Sequence, residues 1–245
     1  MDRKDRDTSR LFLIEGYREL TRALEGKRKI DTLFYCPSLF LGSNEKKLLQ
    51  TCPGEHLECS EEVFRKLSYR DRPDGLIAIA HQVHLNLEAI CLPKIPLVMI
   101  VEGIEKPGNL GTMVRTADAA GVDVVIVADP VTDIHNPNVV RSSVGCLFTV
   151  PVLQANYSET LSFVRKWKLQ LVASKPTATL NYFSAPLQGP IALLMGCEQY
   201  GLSDKWLEEA EIEVKIPMFG KGDSLNVAQA AALLLYEIIR QKKYG

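Results

Sequence analysis

The feature that most constrains the fold is a regular alternation of apolar runs and helical stretches that begins at residue 97. The apolar runs read "LVMIV", "VVIVA", "LFTVPV", "LQLVAS", "IALLM" and "IEVKI". Helical periodicity occupies the segments between them at 110–120, 157–167, 203–210 and 224–241. Continuous apolar strands that alternate with helices are typical of a parallel sheet with helices on both faces. We therefore predict an open, doubly wound α/β fold whose ligands bind beyond the carboxyl ends of the strands.

The first 80 residues predict a smaller α/β unit. "EGYRELTRALEG" places Tyr17, Leu20 and Leu24 at helical spacing, and Gly26 stands where that helix should stop. "IDTLFYC" and "GLIAIA" are typical of strands, and Ser60 before two glutamates favours a helix start.

A stretch without clear periodicity, "HQVHLNLEAICLPKIP", separates the two parts. We therefore predict a small domain at 1–83, a linker at 84–95 and a larger domain at 96–245.

Composition narrows the class of protein. The chain is 46% hydrophobic and 24% charged with a formal net charge of -1, so it belongs to the ordinary globular class and shows no overall attraction for polyanions. Six cysteines without CxxC or Cys/His ligand spacing predict reduced thiols and no metal site. The opening "MDRKDRDTSR" lacks the apolar core of a secretory signal, and no apolar run reaches the roughly 20 residues that cross a bilayer. We expect a soluble cytoplasmic protein that does not contact a membrane.

The first of three unusually polar loops is "VEGIEKPGNLGTMVRTADAAG". Its glycines, including Gly108 and Gly111, would let a ligand approach the backbone, and the helix start favours an anion. Arg115, four residues past Gly111, should reach the same loop. A plain glycine-rich turn with a solvated arginine is the alternative, and neither a GxGxxG nor a Walker pattern is present.

The second polar loop is "LLMGCEQYGLSDKW". Gly196 at the end of a strand suggests that something lies against the backbone, and Ser203 should cap the next helix. Glu198 is a candidate site residue, although it would serve equally to cap or to pair locally.

The third polar loop opens "IPMFGKGDSLNVAQAAALLLYE". Either Asp223 or Ser224 would suffice to cap the helix, which leaves Asn226 and one other polar group spare. The small residues of the helix would suit close packing against another helix or a subunit partner; these are Ala228, Ala231 and Ala232.

Together these loops resemble the three signature motifs of the SpoU/TrmH family of RNA 2'-O-ribose methyltransferases, in the SPOUT class. "HNPNVVRSSVGCLFTVPV" resembles the segment that the family has between motifs one and two, and "RLFLIEGYRELTRAL" resembles the opening of the L30e-like RNA-binding domain of many members. Residues 1–80 hold 15 Lys and Arg against 14 Asp and Glu, so that domain would bind RNA through a patch or through shape.

The resemblance implies transfer of the methyl group of S-adenosylmethionine to a ribose 2'-hydroxyl in structured RNA, with 23S rRNA favoured by the extra N-terminal domain. It also implies a C-terminal trefoil knot around 196–201 and 216–226 that holds the cofactor. Family members are homodimers through the C-terminal domain, with the site near the subunit boundary.

The resemblance further implies the site residues. The invariant polar set, expected to be catalytic, matches Asn109, Arg115, Glu198, Ser224 and Asn226. The cofactor contacts match Leu194, Met195, Gly196, Gly201, Ile216, Met218 and Leu225, of which Leu194, Met195 and Met218 would line an adenine slot. Arg115 has been proposed as the base in this family, but a guanidinium with a pKa of about 12 or more is better suited to gripping a phosphate or stabilising an alkoxide. Many members read SLNVS in motif three, where this chain has Ala228 in place of the last serine.

Several alternatives stay open from the sequence. A tRNA 2'-O-methyltransferase, a resistance-type rRNA enzyme and an inactive RNA-binding homologue all fit the resemblance, whereas a dehydrogenase or NTPase lacks the required loops. The N-terminal residues that charge alone suggests as RNA contacts, or as a solvated helix face, are Arg3, Lys4, Arg6, Arg10, Arg18 and Arg22.

Overall fold

The structure is a computed structural model that describes residues 2–244. The described part of the N-terminal region forms a mixed four-stranded sheet in the order β1-β4-β2-β3, in which only β2 and β3 run parallel. The elements of this region are α1 (Arg3–Ser9), β1 (Leu11–Glu15), α2 (Tyr17–Glu25), β2 (Ile30–Tyr35), α3 (Asn44–Thr51), β3 (Glu55–Glu58), α4 (Glu61–Leu67) and β4 (Leu76–His81). The predicted α2, β2 and β4 are confirmed, and Ser60 caps α4 by accepting from the Val63 amide.

The rest of the chain forms a seven-stranded sheet in the order β7-β6-β5-β10-β8-β11-β9, and each neighbouring pair is parallel. Its elements are β5 (Leu97–Glu102), α5 (Pro107–Ala120), β6 (Val124–Ala128), α6 (Pro137–Ser142), β7 (Val152–Ala155), α7 (Tyr157–Lys166), β8 (Gln170–Ser174), β9 (Leu180–Asn181), β10 (Ile191–Met195), α8 (Asp204–Glu209), β11 (Ile212–Lys215) and α9 (Val227–Tyr244). The predicted α/β fold with a parallel sheet is confirmed.

Successive side chains of a strand point to opposite sides of the sheet, and both sides of the large sheet are buried. In β5, Leu97, Met99 and Val101 belong to one apolar cluster, whereas Val98 and Ile100 belong to another. Helices α5 and α9 contribute to the first cluster, and α7 and α8 contribute to the second. The predicted covering of the sheet by helices on both faces is therefore confirmed.

One predicted strand is misplaced. The run "LFTVPV" begins in a 3-10 turn at Cys146–Phe148, and β7 starts only at Val152. Pro151 has no N–H to donate to a ladder, although its carbonyl accepts from the Val125 amide at 2.9 Å. The proline therefore marks the start of the strand rather than its middle.

The two sheets are joined through one apolar cluster that includes side chains from both. Phe12 of β1 lies 6.0 Å from Phe148, measured between ring centroids. Residues of the predicted linker also pack, since Leu85, Leu87 and Ile90 lie against the second cluster. The boundaries at 83 and 96 stay a prediction.

Within residues 2–244, we find no helix whose length and apolarity would allow it to cross a bilayer.

Candidate active site

A cavity of about 620 Å³ opens at the carboxyl ends of β8, β10 and β11. Its walls are the segments that follow these strands, at 174–177, 195–202 and 216–227, together with Lys106 from the loop before α5. This is the place where parallel α/β sheets bind ligands, and the volume lies within the range of small-molecule sites. The second and third polar loops of the sequence therefore meet at one site.

The loop after β10 closes on itself. The amide of Cys197 donates to the carbonyl of Gly201, and the amide of Gly201 donates back to the carbonyl of Cys197, both at 3.1 Å. A Cβ on Gly196 would lie 2.2 Å from the carbonyl carbon of Gly201. On its Cβ side Gly196 is thus approached by the chain itself, and the predicted contact of its backbone with a ligand stays a prediction.

Gly111 has a similar structural role in the first polar loop. A Cβ there would lie 2.5 Å from the carbonyl oxygen of Val139 in α6, because α5 and α6 pack closely. Gly108, by contrast, has open space where its Cβ would be. Helix α5 begins at Pro107, three residues earlier than predicted.

Asn226 caps α9, which begins at Val227 and not at 224. Its Oδ1 accepts from the Ala228 amide at 3.0 Å, and its Nδ2 donates to Oδ1 of Asn109 at 3.3 Å. The prediction that Asp223 or Ser224 caps this helix is wrong, and Asn226 is not spare. Within the described part of the chain, Nδ2 of Asn109 is buried and has no hydrogen-bond partner, so the orphaned donor belongs to Asn109.

Glu198 forms an ion pair with Lys106 across the cavity, with 2.8 Å between Oε2 and Nζ. The hydrogen bond to Glu198 raises the pKa of Lys106. The contact joins the first polar loop to the second, so Glu198 pairs with a distant part of the chain and not locally.

Arg115 lies outside the cavity, although the sequence predicted that it reaches the same loop as Gly111. It is exposed in the third turn of α5, and six helical positions turn it about 120° away from Asn109. Burial raises the pKa of the Cys146 thiol, and the nearby charge of Arg115 opposes that rise. Arg115 therefore faces a different part of the molecular surface from the cavity of its own chain.

Most of the residues matched to cofactor contacts line the cavity, namely Met195, Gly196, Gly201, Ile216, Met218 and Leu225. Of the matched polar set, Glu198, Ser224 and Asn226 line it, and Asn109 is one hydrogen bond away. Leu194 does not line it, because its fully buried side chain belongs to the cluster that contains Trp206. Because side chains alternate along β10, the Leu194 side chain points away from the cavity, and the predicted cofactor contact of Leu194 through its backbone stays a prediction.

Sequence reasoning missed two basic residues of the cavity. Lys106 precedes Pro107, and Lys175 follows β8 and pairs with Glu213 at 3.1 Å. Because ligands bind after parallel strands, the loop after β8 was also a candidate ligand site. Lys175 could therefore have been predicted from the sequence. Lys106 is identified as a candidate site residue only by its contact with Glu198 in the structure.

The chain matches two family models, which together cover most of its length. Residues 96–236 match the SpoU rRNA Methylase family, and residues 1–78 match the MRM3-like substrate binding domain. A curated relative, the 23S rRNA (guanosine(2553)-2'-O)-methyltransferase RlmP of Bacillus subtilis, is 30% identical over 96% of this chain and 91% of its own length.

Solved structures give the same result. A crystal structure of an RNA 2'-O ribose methyltransferase is 43% identical, covers 98% of this chain and 92% of its own, and has a TM-score of 0.88. The SpoU methyltransferase AviRb from Streptomyces viridochromogenes, in complex with the cofactor AdoMet, is 30% identical, covers 100% of this chain and 95% of its own, and has a TM-score of 0.92.

Proposed function

The chain belongs to the SpoU rRNA methylase family, and we propose on this premise that it uses S-adenosylmethionine (AdoMet) to methylate a ribose 2'-hydroxyl of 23S rRNA. The observation that carries the proposal is the cavity at the carboxyl ends of β8, β10 and β11, which the second and third family motifs enclose. Relatives that match nearly the whole chain are 23S rRNA 2'-O-methyltransferases by name.

The residues of the cavity fit AdoMet. Met195, Ile216 and Met218 offer an apolar slot for adenine, and the carboxylates of Glu198 and Asp223 suit the positively charged groups of the ligand. When bound, AdoMet supplies a methyl group on a sulfonium leaving group. The protein must then align the ribose oxygen and help the hydroxyl to lose its proton.

We assign the alignment of the ribose to the Asn109–Asn226 pair and Ser224. Asn226 is held at both ends of its amide, by the Ala228 amide and by Asn109. Nδ2 of Asn109 is buried and has no partner among the described residues, so this assignment requires that RNA docking expose it to a substrate oxygen. A fixed donor of this kind stabilises negative charge that develops on the oxygen during transfer.

Arg115 is assigned to the phosphate beside a target ribose in the cavity of a second copy, since it faces away from the cavity of its own chain. It is not assigned to proton abstraction, because a guanidinium is a poor acceptor. Its exposed position on α5 leaves it free for RNA or for a second subunit. Arg115→Lys should abolish methyl transfer and leave the dissociation constant of AdoMet unchanged, measured by tritium transfer and by calorimetry. Near-normal turnover would contradict the assignment.

We also propose a homodimer through the C-terminal domain. Ala228 and Ala231 are buried within the cluster shared with α5, so the small-residue face of α9 packs against a helix of its own chain. The opposite side of α9 exposes two apolar side chains, Leu233 by 42% and Tyr236 by 52%, which we propose contact a second copy. Sedimentation of the wild type and of Leu233→Lys tests this proposal, and a wild-type monomer would contradict it.

The C-terminal trefoil knot is a further proposal, supported by family membership and by the convergence of loops 196–201 and 216–226 on one cavity. Joining the chain termini covalently and then denaturing the product provides the test. A knotted ring should be more compact in denaturant than an unknotted ring of equal length.

The N-terminal region is proposed to bind RNA as an L30e-like domain, which its match to a substrate binding domain supports. Some of the basic residues that charge suggested as RNA contacts are already engaged within the chain. Arg6 is buried against Asp133, and Arg22 donates to the Val144 carbonyl, whereas Lys4 and Arg18 are exposed. We further propose that the protein acts in the cytoplasm.

Mapping of 2'-O-methyl sites on total RNA, with and without the protein, tests the function directly. The expected result is one site in 23S rRNA that depends on the protein. A site in tRNA would assign the enzyme to the tRNA branch of its relatives. No protein-dependent site, together with no AdoMet-dependent tritium transfer, would point to an inactive RNA-binding homologue.

A further inference from the structure

Lys106 occupies a position that helix electrostatics disfavours. It is the N-cap residue of the 14-residue helix α5, and its side chain makes no capping hydrogen bond. N-cap positions favour Ser, Thr, Asp and Asn, and a cation near the positive end of the helix dipole is unfavourable. Such a departure from local rules is expected where a residue serves a function.

The anion that compensates Lys106 is Glu198, whose oxygen lies 2.8 Å from the ammonium. The Lys106 side chain is 71% exposed and that of Glu198 is 29% exposed. Exposed ion pairs contribute at most about 1 kcal/mol, because water competes for both partners. This pair is therefore one that a stronger anion can replace.

The backbone around Lys106 is held firmly, in contrast to its side chain. The hydroxyl of Thr132 donates to the carbonyls of Ile104 and Glu105, at 2.6 and 2.8 Å. The carbonyl of Lys106 itself accepts from the Asn109 amide at 3.0 Å. The ammonium can thus change partner without movement of the loop.

Lys106 is also the cation that the cavity presents to solvent. Among the described residues that line it, the other lysine is Lys175, whose ammonium lies 3.1 Å from both carboxylate oxygens of Glu213. Carboxylates near Lys106 or in the wall are those of Glu105, whose charge acts on Lys106, and of Asp223, which lines the cavity. An incoming polyanion would meet these carboxylates unless a cation at the same entrance is available to it.

We propose that Lys106 contacts the RNA: when the substrate docks, its ammonium leaves Glu198 and binds a backbone phosphate next to the target ribose. This inference rests on the proposed function, because a ribose that reaches the cavity brings its own phosphates to the entrance. A phosphate offers a full charge and several acceptor oxygens, and such charge-assisted hydrogen bonds are among the stronger ones. The exchange frees the Glu198 carboxylate when RNA binds, so the cavity wall responds to the substrate.

The test is the salt dependence of RNA binding, measured with a 23S rRNA transcript as the probe. Each protein cation that binds a phosphate contributes about 0.7 to 0.9 to the slope of log K against log salt. Lys106→Met should reduce the slope by that amount, and Lys106→Arg should keep it. The matched control is Arg165→Met, because Arg165 and Glu209 form a pair of similar length, 2.9 Å, and similar exposure, 66% and 32%, outside the cavity.

The AdoMet dissociation constant, measured by calorimetry, separates this proposal from its main rival. An unchanged AdoMet affinity and a reduced slope in Lys106→Met support the phosphate contact. A wild-type slope overturns the proposal, and a wild-type slope with weakened AdoMet binding would instead place Lys106 on the cofactor carboxylate. Because the slope comes from binding and not from turnover, failure of the wild type to methylate rRNA would count against the proposed function and not against this contact.

Discussion

At the scale of single residues, glycine is required for different physical reasons at different positions of this chain. The sequence suggested that a ligand meets the backbone at Gly111 and Gly196. At both positions, the atoms closest to where a Cβ would lie belong to another part of the chain. Gly201 differs, since it has a φ of +71° and open space around its Cβ position. The requirement there is backbone conformation, and at the other two it is close packing.

Gly196→Ala should therefore damage the site through its wall. The new methyl group would lie 2.2 Å from the Gly201 carbonyl carbon and 2.3 Å from the Leu202 nitrogen, so backbone has to move. We expect a loss of about 1–3 kcal/mol in the free energy of unfolding, as in overpacked cores, and at least about tenfold weaker AdoMet binding. Urea unfolding and calorimetry measure the two effects. Gly189→Ala is the control, because no heavy atom lies within 4 Å of its Cβ position.

His135 supplies a prediction about pH. Burial lowers its pKa to about 4, against the partial opposition of Asp133 and with help from His84, Arg28 and Arg6. The unfolded chain binds the proton near pH 6.5, so His135 contributes stability above that pH and loses it as the pH falls toward 4.

Comparison with His135→Gln isolates this effect from the carboxylates that both proteins share. The variant should be less stable at pH 7.5, since it loses the contact of the His135 ring with Phe12 at 4.8 Å between centroids. Its deficit in the free energy of unfolding should shrink at pH 5, where only the wild type has the histidine to protonate. A deficit that is constant from pH 7.5 to 5 would show that the buried ring does not control stability in this range.

At the scale of elements, hydrophobic periodicity predicted the helices but not the residue at which each of them begins. Helix α9 was predicted from 224 and begins at Val227, and α5 was predicted from 110 and begins at Pro107. Several polar residues before an apolar run can each serve as a cap, and the choice depends on which side chain reaches a free amide. Asn226 serves as the cap, because its side chain is also held by a hydrogen bond to Asn109 on another element.

Two substitutions separate the capping role of Asn226 from its role in the site. Asn226→Asp keeps an oxygen for the Ala228 amide and should preserve stability, but it removes the donor to Asn109 and should lower methyl transfer about tenfold. Asn226→Ala should lose the activity and also about 0.5–2 kcal/mol of stability. Thermal unfolding and tritium transfer measure the pair, and Ser224→Ala should leave the unfolding temperature unchanged. Equal stability of the Ala and Asp variants would contradict the capping role.

At the scale of the whole molecule, the N-terminal region is fastened to the large sheet through buried contacts. Nε of Arg6 in α1 donates to Oδ2 of Asp133 at 2.8 Å, and both side chains are at most 10% exposed. Asp133 also accepts from the His135 amide, and its neighbour Thr132 holds the loop before α5. The fastening point at Asp133 is therefore next in the chain to Thr132, whose hydroxyl bonds the carbonyls of the two residues before Lys106.

Arg6→Met should lower the free energy of unfolding by about 3–5 kcal/mol, because it leaves a carboxylate buried without its charged partner. Arg3→Met is the matched control on the same helix, because its contacts with Asp7 at 3.8 Å and with the Val131 carbonyl at 3.1 Å are both exposed. Their loss should cost less than about 1 kcal/mol. Urea unfolding of Arg6→Met, of Asp133→Asn and of the double variant gives the coupling energy, and Arg3→Met is measured beside them. Similar costs for the two arginine substitutions would show that the buried pair does not fasten the region.

The sequence by itself determined the α/β class, the parallel sheet, most of the strands and the order of the three polar loops. It could do so because strand and helix periods are local properties, and because the motifs that carry the family resemblance are contiguous segments. It also determined that chemistry belongs after the strands, since all parallel strands end at one edge of the sheet.

Only the tertiary structure decided which polar groups meet. Arg6 and Asp133 are 127 positions apart, and Asn109 and Asn226 are 117 apart. The packing of α6 on Gly111, the position of Arg115 outside the cavity and the burial of Leu194 likewise depend on how distant elements are arranged. Such pairs leave no periodic trace in the chain, because their cost and benefit exist only when the fold has brought both partners out of water.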